Sequence, residues 1–355
     1  MLAEHGIAGS TRKNYGTYFK YWEDYCDWMH IPILSLNQRH ALNFVAWCWK
    51  FTTLNGKLVS RALTAAGSYH KDNGISWIRK DFPAIKRHVE GFIFLRPPNK
   101  RPKLPFSEFH IQKLFYYCIN LKKINDILMG TVILIGYILL LRPSELTLTK
   151  SAKTKPTSQR PTTSQPSPSK HLANNNISWY PSFNKPSEIS IKVDKSKTNR
   201  HNNKLETVYA SCNCNDPNRI IPCPPHMLKY YILCRNRYHR KIFRPKDDLF
   251  IKSNGDTLNY NNLNNWMHNA IVALNKRMGL KMNPNYYTPH TLRTGGCTDM
   301  ARKGSPGWQI EAQGRWSTNM WKDTYINMDW KDMATLNNCT VTELKRNIVN
   351  RPYSN

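Results

Sequence analysis

A histidine, an arginine and a tyrosine in the last quarter of the chain have side chains suited to binding an anion and acting on it. His290 and Arg293 are three residues apart, and Tyr325 follows Trp316 by nine residues. A guanidinium binds two anionic oxygens at once and keeps its charge, while an imidazole gains or loses a proton near neutral pH. A tyrosine hydroxyl, with an ordinary pKa of about 10, needs a proton acceptor or a strongly positive site to become a nucleophile.

A second arginine stands upstream, after the apolar run 131–141. Pro143 biases Arg142 away from helical backbone, so we expect an apolar helix that ends at Leu141 and leaves Arg142 at its terminus. Glu145 follows three residues later and is suited to orienting basic groups.

Two stretches that alternate apolar and polar residues flank the basic segment 194–204, and they predict a β-hairpin. Ile189, Ile191 and Val193 belong to the stretch before this segment, and Leu205, Val208 and Tyr209 to the stretch after it. The segment between them carries four Lys and Arg residues, among them Lys195, Lys197 and Arg200.

The remaining elements that must position these groups are mostly helices. Apolar periodicity predicts helices over 226–240, 260–278, 292–302 and 332–347. Residues 151–187 are rich in Ser, Thr, Pro, Asn and Gln and include five basic but no acidic residues, which predicts a disordered surface insertion.

The N-terminal part predicts a separate helical bundle. Helical spacing of apolar residues over 10–29, 42–49 and 60–70 is followed by a fourth helix that begins near Pro83. Four prolines and four basic residues in 95–105 cannot continue a helix and indicate a charged linker. We therefore predict a domain over 1–95, a linker over 96–105 and a second domain over 106–355.

The charge of the chain favours nucleic acid as its partner. There are 52 Lys and Arg against 23 Asp and Glu, a formal net charge of +29. Both predicted domains are basic. The N-terminal residues lack the apolar core of a secretory signal, the run 131–141 is too short to span a bilayer, and no polybasic cluster adjoins an amphipathic anchor. We expect a soluble intracellular protein without a membrane partner.

Nine scattered cysteines, an odd number, are typical of reduced thiols rather than of a disulfide framework. Four potential zinc ligands, Cys212, Cys214, Cys223 and His226, cluster in the sequence. Their Cys-x-Cys start and irregular gap fit common structural zinc spacings poorly, so we favour reduced thiols and no metal, while zinc binding stays open.

Four motifs, in the expected order, resemble the tyrosine recombinase family, and the resemblance covers most of the chain from Lys103 to Trp330. Residues 141–146 are similar to the first arginine box of the family, and Lys197 is similar to its hairpin lysine. Residues 290–293 resemble the His-x-x-Arg box, and the interval from Trp316 to Tyr325 is the one found in the family.

Two further features refine the resemblance. Trp316 stands where most relatives have a second histidine, as in Cre recombinase, and residues 10–15 resemble the opening of the core-binding domain of the family. The low-complexity insertion and the basic, cysteine-containing segment near Cys223 suggest eukaryotic mobile elements of the Crypton or DIRS type. That origin implies a nuclear location.

The resemblance implies that Tyr325 attacks a DNA phosphate and forms a 3′-phosphotyrosyl intermediate. Arg142 and Arg293 would neutralise the phosphate oxygens in the transition state, and His290 is the nearest proton acceptor. Because the intermediate conserves the bond energy, religation needs neither ATP nor a metal, and no nucleotide cofactor is expected.

Three supporting roles are also implied. Lys197 would protonate the departing 5′ oxygen, with Lys195 as the alternative. Trp316 would donate a hydrogen bond to a phosphate oxygen and buttress the tyrosine, while Glu145 would orient the basic groups.

The implied fold is mainly α with a small β-sheet. It combines a helical, SAM-like core-binding domain with a catalytic domain in a C-shaped DNA clamp, which assembles as a homotetramer on DNA. The helix 332–347 would pack on a neighbouring protomer or on its own domain. We expect DNA contacts from Arg12, Lys13, Lys195, Arg200, Arg235, Arg237 and Arg240.

Two other functions remain open at this point. A domesticated DNA-binding protein would keep the fold without strand cleavage, and retention of all the motifs argues against it. A type IB topoisomerase shares the Arg, Lys, Arg and Tyr chemistry, and the Cre-like helical N-terminal domain disfavours it.

Overall fold

The computed structural model describes residues 9–75, 82–98, 103–148, 172–193 and 206–326. The chain divides into two units, Met1–Lys100 and Arg101–Asn355. The division falls inside the proline-rich stretch 95–105.

The first unit is a bundle of helices, as its apolar periodicity predicts. They are α1 (Gly9–Met29), α2 (Gln38–Phe51), α3 (Gly56–Asp72) and α4 (Pro83–Leu95). The side chains of Asn37 and Asn55 accept hydrogen bonds from backbone N–H groups and cap α2 and α3. Such caps stabilise a helix by about 1 kcal/mol each. Trp22, Tyr25 and Phe44 are fully buried at the centre of the bundle.

The second unit is also mainly helical. Its helices are α5 (Glu108–Tyr117), α6 (Ile124–Ile138), α7 (Pro143–Leu146), α8 (Pro224–His239), α9 (Tyr260–Met278), α10 (Pro289–Arg302), α11 (Gly307–Gly314) and α12 (Met320–Tyr325). The periodicity predicts α8 and α9 closely. It places the start of α10 three residues late, because Pro289 and the Thr288 cap begin that helix ahead of its apolar residues.

Three antiparallel strands in the order β1-β2-β3 form a small sheet in this unit. They are β1 (Ile177–Pro181), β2 (Pro186–Val193) and β3 (Glu206–Ser211). Ile191 pairs with Ile177 on one side and Val208 on the other, and its side chain is buried. The pairing of β2 with β3 confirms the predicted hairpin.

The predicted disordered insertion is too long. Residues 172–187 are folded: the turn Asn174–Asn176 leads into β1, and β2 begins at Pro186. The Asn176 side chain accepts a hydrogen bond from the backbone N–H of Ala173 at 2.7 Å and is itself buried. The prediction was wrong for 172–187 because polar composition alone does not reveal a turn capped by Asn176 or a strand that pairs with β2. Residues 151–171 lie outside the described residues.

Helix α6 is the apolar centre of the second unit, and every residue from 127 to 137 is buried. It ends at Ile138 rather than at the predicted Leu141. Leu140 has a φ of 48°, a left-handed backbone that breaks the helix while its side chain stays fully buried. Arg142 therefore follows a buried turn and does not stand directly at the end of the helix.

Helix α10 lies against α6 and the Phe106 segment at a distance that only glycine permits. A Cβ on Gly295 would meet the carbonyl oxygen of Phe106 at 1.9 Å, and one on Gly296 would meet that of Tyr137 at 2.0 Å. This close contact sets the position of His290 and Arg293, which α10 carries.

The short helices α11 and α12 were not predicted from periodicity, and the predicted helix 332–347 lies outside the described residues. None of the helices in the described part of the chain combines the length and hydropathy needed to cross a bilayer.

Candidate active site

Arg293 joins three parts of the second unit. Its side chain is fully buried, and its terminal nitrogens donate to the carbonyl oxygens of Leu140 and Gly314. The turn after α6 and the end of α11 are thereby tied to α10. The Nε of Arg293 is buried and has no hydrogen-bond partner among the described residues.

Glu145 links the other two arginines of the site. Its carboxylate accepts from Arg315 Nη2 at 2.8 Å and from Arg142 Nη1 at 3.1 Å, and it also caps the backbone N–H of Arg142 at 2.7 Å. Glu145 is 2% exposed. Although burial acts to raise its pKa, the ion pairs with Arg315 and Arg142 hold the pKa of Glu145 below its ordinary value.

The three guanidinium groups differ in access to solvent. The Arg142 side chain is 15% exposed and the Arg315 side chain 4%, while Arg293 is fully buried. Burial, and then the positive charges of Arg142 and Arg315, lower the pKa of Arg293 to about 10. Glu145 balances only part of this charge, so the site favours an anion, and Arg142 is the arginine most accessible to one.

An aromatic layer covers the Arg293 guanidinium. Its Cζ lies 4.4 Å from the ring centroid of Trp316 and 5.3 Å from that of Tyr325. The Trp316 and Tyr325 centroids are 4.9 Å apart, and Trp321 stacks on Trp316 with 6.1 Å between the centroids. Such contacts place the tyrosine next to a cation. Because Arg293 is fully buried, an anion could contact its guanidinium only after neighbouring groups move.

Tyr325 is the last residue of α12, and its backbone is held by α10. The Thr298 hydroxyl donates to the Tyr325 carbonyl oxygen at 3.0 Å. Trp321 also anchors α12, because its indole N–H donates to the Glu311 carboxylate at 2.8 Å. The tyrosine is therefore fixed through its own helix and through α10.

His290 lies beside Tyr325, with 5.6 Å between the ring centroids. Burial, followed by the positive charges of Lys103, Arg293 and Arg142, lowers the pKa of His290 to about 4. The imidazole is consequently neutral near neutral pH and has a lone pair that can accept a proton.

The structure thus brings together six of the predicted site residues: Arg142, Glu145, His290, Arg293, Trp316 and Tyr325. The hairpin residues Lys195, Lys197 and Arg200 lie outside the described residues. The two strand ends that join this segment, Val193 and Glu206, pair with each other. Glu206 lies 3.9 Å from Arg315 Nε, so the base of the hairpin borders the site.

Five of the seven predicted DNA-contacting residues lie in the described part of the chain, and they fall into two groups. Arg12 and Lys13 on α1, and Arg237 and Arg240 at the end of α8, are exposed. Arg235 is 1% exposed and donates to the Leu249 carbonyl oxygen at 2.7 Å and to Asn174. Its predicted DNA contact is wrong, because its guanidinium is used inside the fold.

Three residues near the site were given no role by the sequence. Arg315 pairs with Glu145, Thr298 holds the Tyr325 backbone, and Lys103 contributes to the pKa of His290. For Arg315, the sequence offered one indication of a role, which is its position between Gly314 and Trp316 in the motif that precedes Tyr325. For Thr298 and Lys103 the sequence offered no such indication, because only tertiary contacts bring these two residues to the candidate site.

Among the described residues, the one group of histidine, cysteine and carboxylate side chains placed to share a metal ion is Cys212, Cys214, Cys223 and His226. None of these belongs to the candidate active site.

No protein-family model matches the sequence, and no curated protein sequence matches it significantly. Similar solved structures do exist. The Tn1549 transposon integrase in complex with transposon right end DNA is 14% identical, covers 94% of each chain and has a TM-score of 0.58.

Two further structures are similar over most of this chain. A lambda integrase dimer bound to a COC′ core site is 11% identical, with 93% of this chain and 75% of that chain covered and a TM-score of 0.51. XerH site-specific recombinase bound to its palindromic difH substrate is 10% identical, with 89% and 75% covered and a TM-score of 0.52. At these identities the likeness concerns the fold. The chain has the tyrosine-recombinase fold, and these neighbours are DNA-bound.

Proposed function

We propose that this chain is a site-specific DNA recombinase or integrase that cuts and rejoins DNA strands through a covalent bond between Tyr325 and a 3′ phosphate. The observation that carries the proposal is the position of Tyr325, 4.9 Å from Trp316 and 5.6 Å from His290 between ring centroids, with the Arg293 guanidinium at 5.3 Å. A tyrosine, a neutral imidazole and an excess of arginine are the groups that phosphoryl transfer to tyrosine requires.

In the proposed cleavage step, the Tyr325 oxygen attacks the phosphorus of a DNA phosphodiester. The phenolic proton passes to the neutral ring of His290. The bond between phosphorus and the 5′ oxygen breaks, and the leaving oxygen takes up a proton to become a 5′ hydroxyl. The reverse step, with the 5′ hydroxyl of another strand, returns the proton to Tyr325 and joins the strands without ATP.

Lys197 is the proposed donor of the proton to the leaving oxygen, with Lys195 as the alternative. What supports this assignment is the base of the hairpin beside Arg315, where Glu206 lies 3.9 Å from Nε. Arg142 and Arg293 are the proposed phosphate ligands. Arg142 is the more accessible of the two to a phosphate. In this proposal, Arg293 binds the phosphate after the aromatic layer of Trp316 and Tyr325 moves.

The proposed partner is duplex DNA, bound by four copies of the chain. The net charge of +29 and the exposed basic residues of both units support DNA binding. The further proposal of a Cre-like, Crypton- or DIRS-type element acting in the nucleus rests on sequence features, chiefly Trp316 and the low-complexity insertion.

A suicide-substrate assay tests the proposal. Duplexes bound by the protein are selected from a random library and rebuilt with a nick, so that cleavage releases a short fragment and traps the covalent adduct. We expect an adduct with the wild type and none with Tyr325→Phe. Tyr238→Phe, which changes an exposed tyrosine on α8, is the matched control and should keep full adduct formation.

Three outcomes would contradict the proposal. An adduct that persists in Tyr325→Phe places the nucleophile elsewhere. Tight binding with no adduct in the wild type identifies a DNA-binding protein that does not cleave. Relaxation of supercoils without joint molecules identifies topoisomerase activity.

A further inference from the structure

Four side chains outside the candidate active site meet at one point between β3 and α8. His226 Nδ1 lies 3.6 Å from the Sγ of Cys212, 3.5 Å from that of Cys214 and 3.2 Å from that of Cys223. The Sγ atoms of Cys212 and Cys223 are 3.5 Å apart. All four atoms lie within 4.8 Å of one another.

The three sulfur–nitrogen distances and the sulfur–sulfur distance between Cys212 and Cys223 are close to the edges of a tetrahedron around zinc. With Zn–S bonds of about 2.3 Å and Zn–N bonds of about 2.0–2.1 Å, tetrahedral geometry places two sulfurs about 3.8 Å apart and a sulfur and a nitrogen about 3.5 Å apart. Three cysteines and one histidine are also a common ligand set of structural zinc. A disulfide, with sulfurs about 2.05 Å apart, would use two of the four groups and leave the convergence of the others unexplained.

Regular elements hold the ligands from both sides. Cys212 continues β3, since its backbone N–H donates to the Ser187 carbonyl oxygen at 2.7 Å. Cys223 is the residue before α8, and His226 lies in the first turn of that helix. Cys223 is 4% exposed, whereas Cys214 and His226 are exposed, so the site is built on the core and open to loading from solvent.

The surroundings suit a negatively charged complex. Three thiolates around a divalent ion leave one net negative charge. Arg219 Nη1 lies 3.3 Å from the Cys214 Sγ, and the backbone N–H of Cys214 donates to the Cys212 Sγ at 3.4 Å. A cation and an amide beside the sulfurs stabilise thiolates and fix the direction of their lone pairs.

We propose that Cys212, Cys214, Cys223 and His226 bind one structural Zn²⁺, with His226 coordinating through Nδ1. This replaces the expectation of reduced thiols without metal. The Cys-x-Cys start, which argued against zinc in the sequence, is accommodated because Cys212 lies at the end of a strand and Cys214 in the loop that follows it.

The ion would join the end of β3 to the start of α8 across the loop 213–222. Strand β3 runs from Glu206, near Arg315, to Ser211, next to the first ligand. Zinc would therefore fix the far end of the strand whose near end borders the candidate active site. The proposal does not depend on strand cleavage.

Metal analysis of the full chain tests it. The protein is produced with zinc and reductant, using an affinity tag that contains no histidine, and its metal content is measured by mass spectrometry after gel filtration. We expect about one zinc per folded chain. Replacing the zinc with Co²⁺ should give the intense visible bands of tetrahedral thiolate coordination.

Matched variants separate ligands from bystanders. Cys214→Ser and His226→Asn change exposed ligands, so these chains should fold while losing most of the zinc and the cobalt bands. Cys234→Ser and His88→Asn change residues of the same types outside the cluster and should retain the metal. A chelator should lower the Tm of the wild type and of the controls but not that of the ligand variants.

The proposal is overturned if the folded wild type contains no stoichiometric zinc or if Cys214→Ser and His226→Asn both keep it. A disulfide between Cys212 and Cys223 in freshly purified protein would also overturn it. These results would leave the proposal for Tyr325 unaffected, and a failed cleavage assay with zinc present would leave the metal site standing.

Discussion

The carboxylate of Glu145 and the guanidinium of Arg315 form a buried ion pair at 2.8 Å, with side chains 2% and 4% exposed. The same carboxylate binds Arg142 at 3.1 Å. Glu145 is thus the acidic centre of a strongly basic site. Removing its charge would leave two arginines facing each other with little solvent to screen them.

We expect Glu145→Gln to lower the free energy of unfolding by about 3–5 kcal/mol, as is typical when one partner of a buried ion pair is lost. Urea unfolding of the isolated variant measures this. Glu108→Gln is the control, because Glu108 pairs with Lys303 at 2.9 Å on a more exposed surface, where about 0–1 kcal/mol is expected. Equal effects of the two changes would show that burial does not strengthen the Glu145 pair.

We expect His290 to titrate with a pKa of about 4, below its ordinary 6.5, because burial and then the charges of Lys103, Arg293 and Arg142 disfavour the imidazolium. As the pH falls, His290 is therefore protonated at a higher pH in the unfolded chain than in the folded one. The stability contributed by the neutral ring is present in full above 6.5 and is lost as the pH falls towards about 4.

Two measurements test this titration. Nuclear magnetic resonance should follow the ring of His290, assigned by its disappearance in His290→Gln, through a midpoint near 4. The stability advantage of the wild type over His290→Gln should shrink across the same pH range. A midpoint at or above 6.5 would show that burial and the neighbouring cations do not lower the pKa of His290.

We expect Gly296→Ala to lower the free energy of unfolding by about 1–3 kcal/mol or more, because the added methyl group would force the backbone of α10 away from that of α6. The new Cβ would meet the Tyr137 carbonyl oxygen at 2.0 Å. Thermal unfolding measures the effect. Gly91→Ala in α4 is the control: its Cβ would meet nothing within 4 Å, and the change should stabilise that helix by about 0.5–1 kcal/mol. A harmless Gly296→Ala would contradict the close contact of α10 with α6.

We expect Arg237→Gln and Arg235→Gln to act on different properties. Arg237 is exposed, so its change should weaken DNA binding and reduce the slope of log affinity against log salt by about 1. Arg235 is buried against Leu249 and Asn174, so its change should lower the Tm. Binding titrations at several salt concentrations, with Tm values for both variants, distinguish the two. A lower salt slope for Arg235→Gln at unchanged Tm would restore it as a phosphate contact.

The sequence was most informative where a function requires a fixed residue at a fixed interval. His290, Arg293, Trp316 and Tyr325 were predicted as one site from their resemblance to the ordered motifs of the tyrosine recombinase family, and the structure places them together. Helices with strong apolar periodicity, such as α8 and α9, were predicted within two residues of their ends.

Where the prediction was wrong, tertiary contacts override local pattern. The sequence around Arg235 is typical of a basic surface helix, but its guanidinium is buried and bonded to the Leu249 carbonyl oxygen. The apolar run to Leu141 gives no sign of the left-handed backbone at Leu140. The convergence of Cys212 with His226 depends on how β3 meets α8, which spacing along the chain does not encode.

The hydrogen bond from Thr298 to the Tyr325 carbonyl oxygen means that one helix, α10, carries His290 and Arg293 and also holds the candidate nucleophile. A shift of α10 against its neighbours would therefore move all three residues together, so the geometry of the candidate site depends on the seating of this single helix.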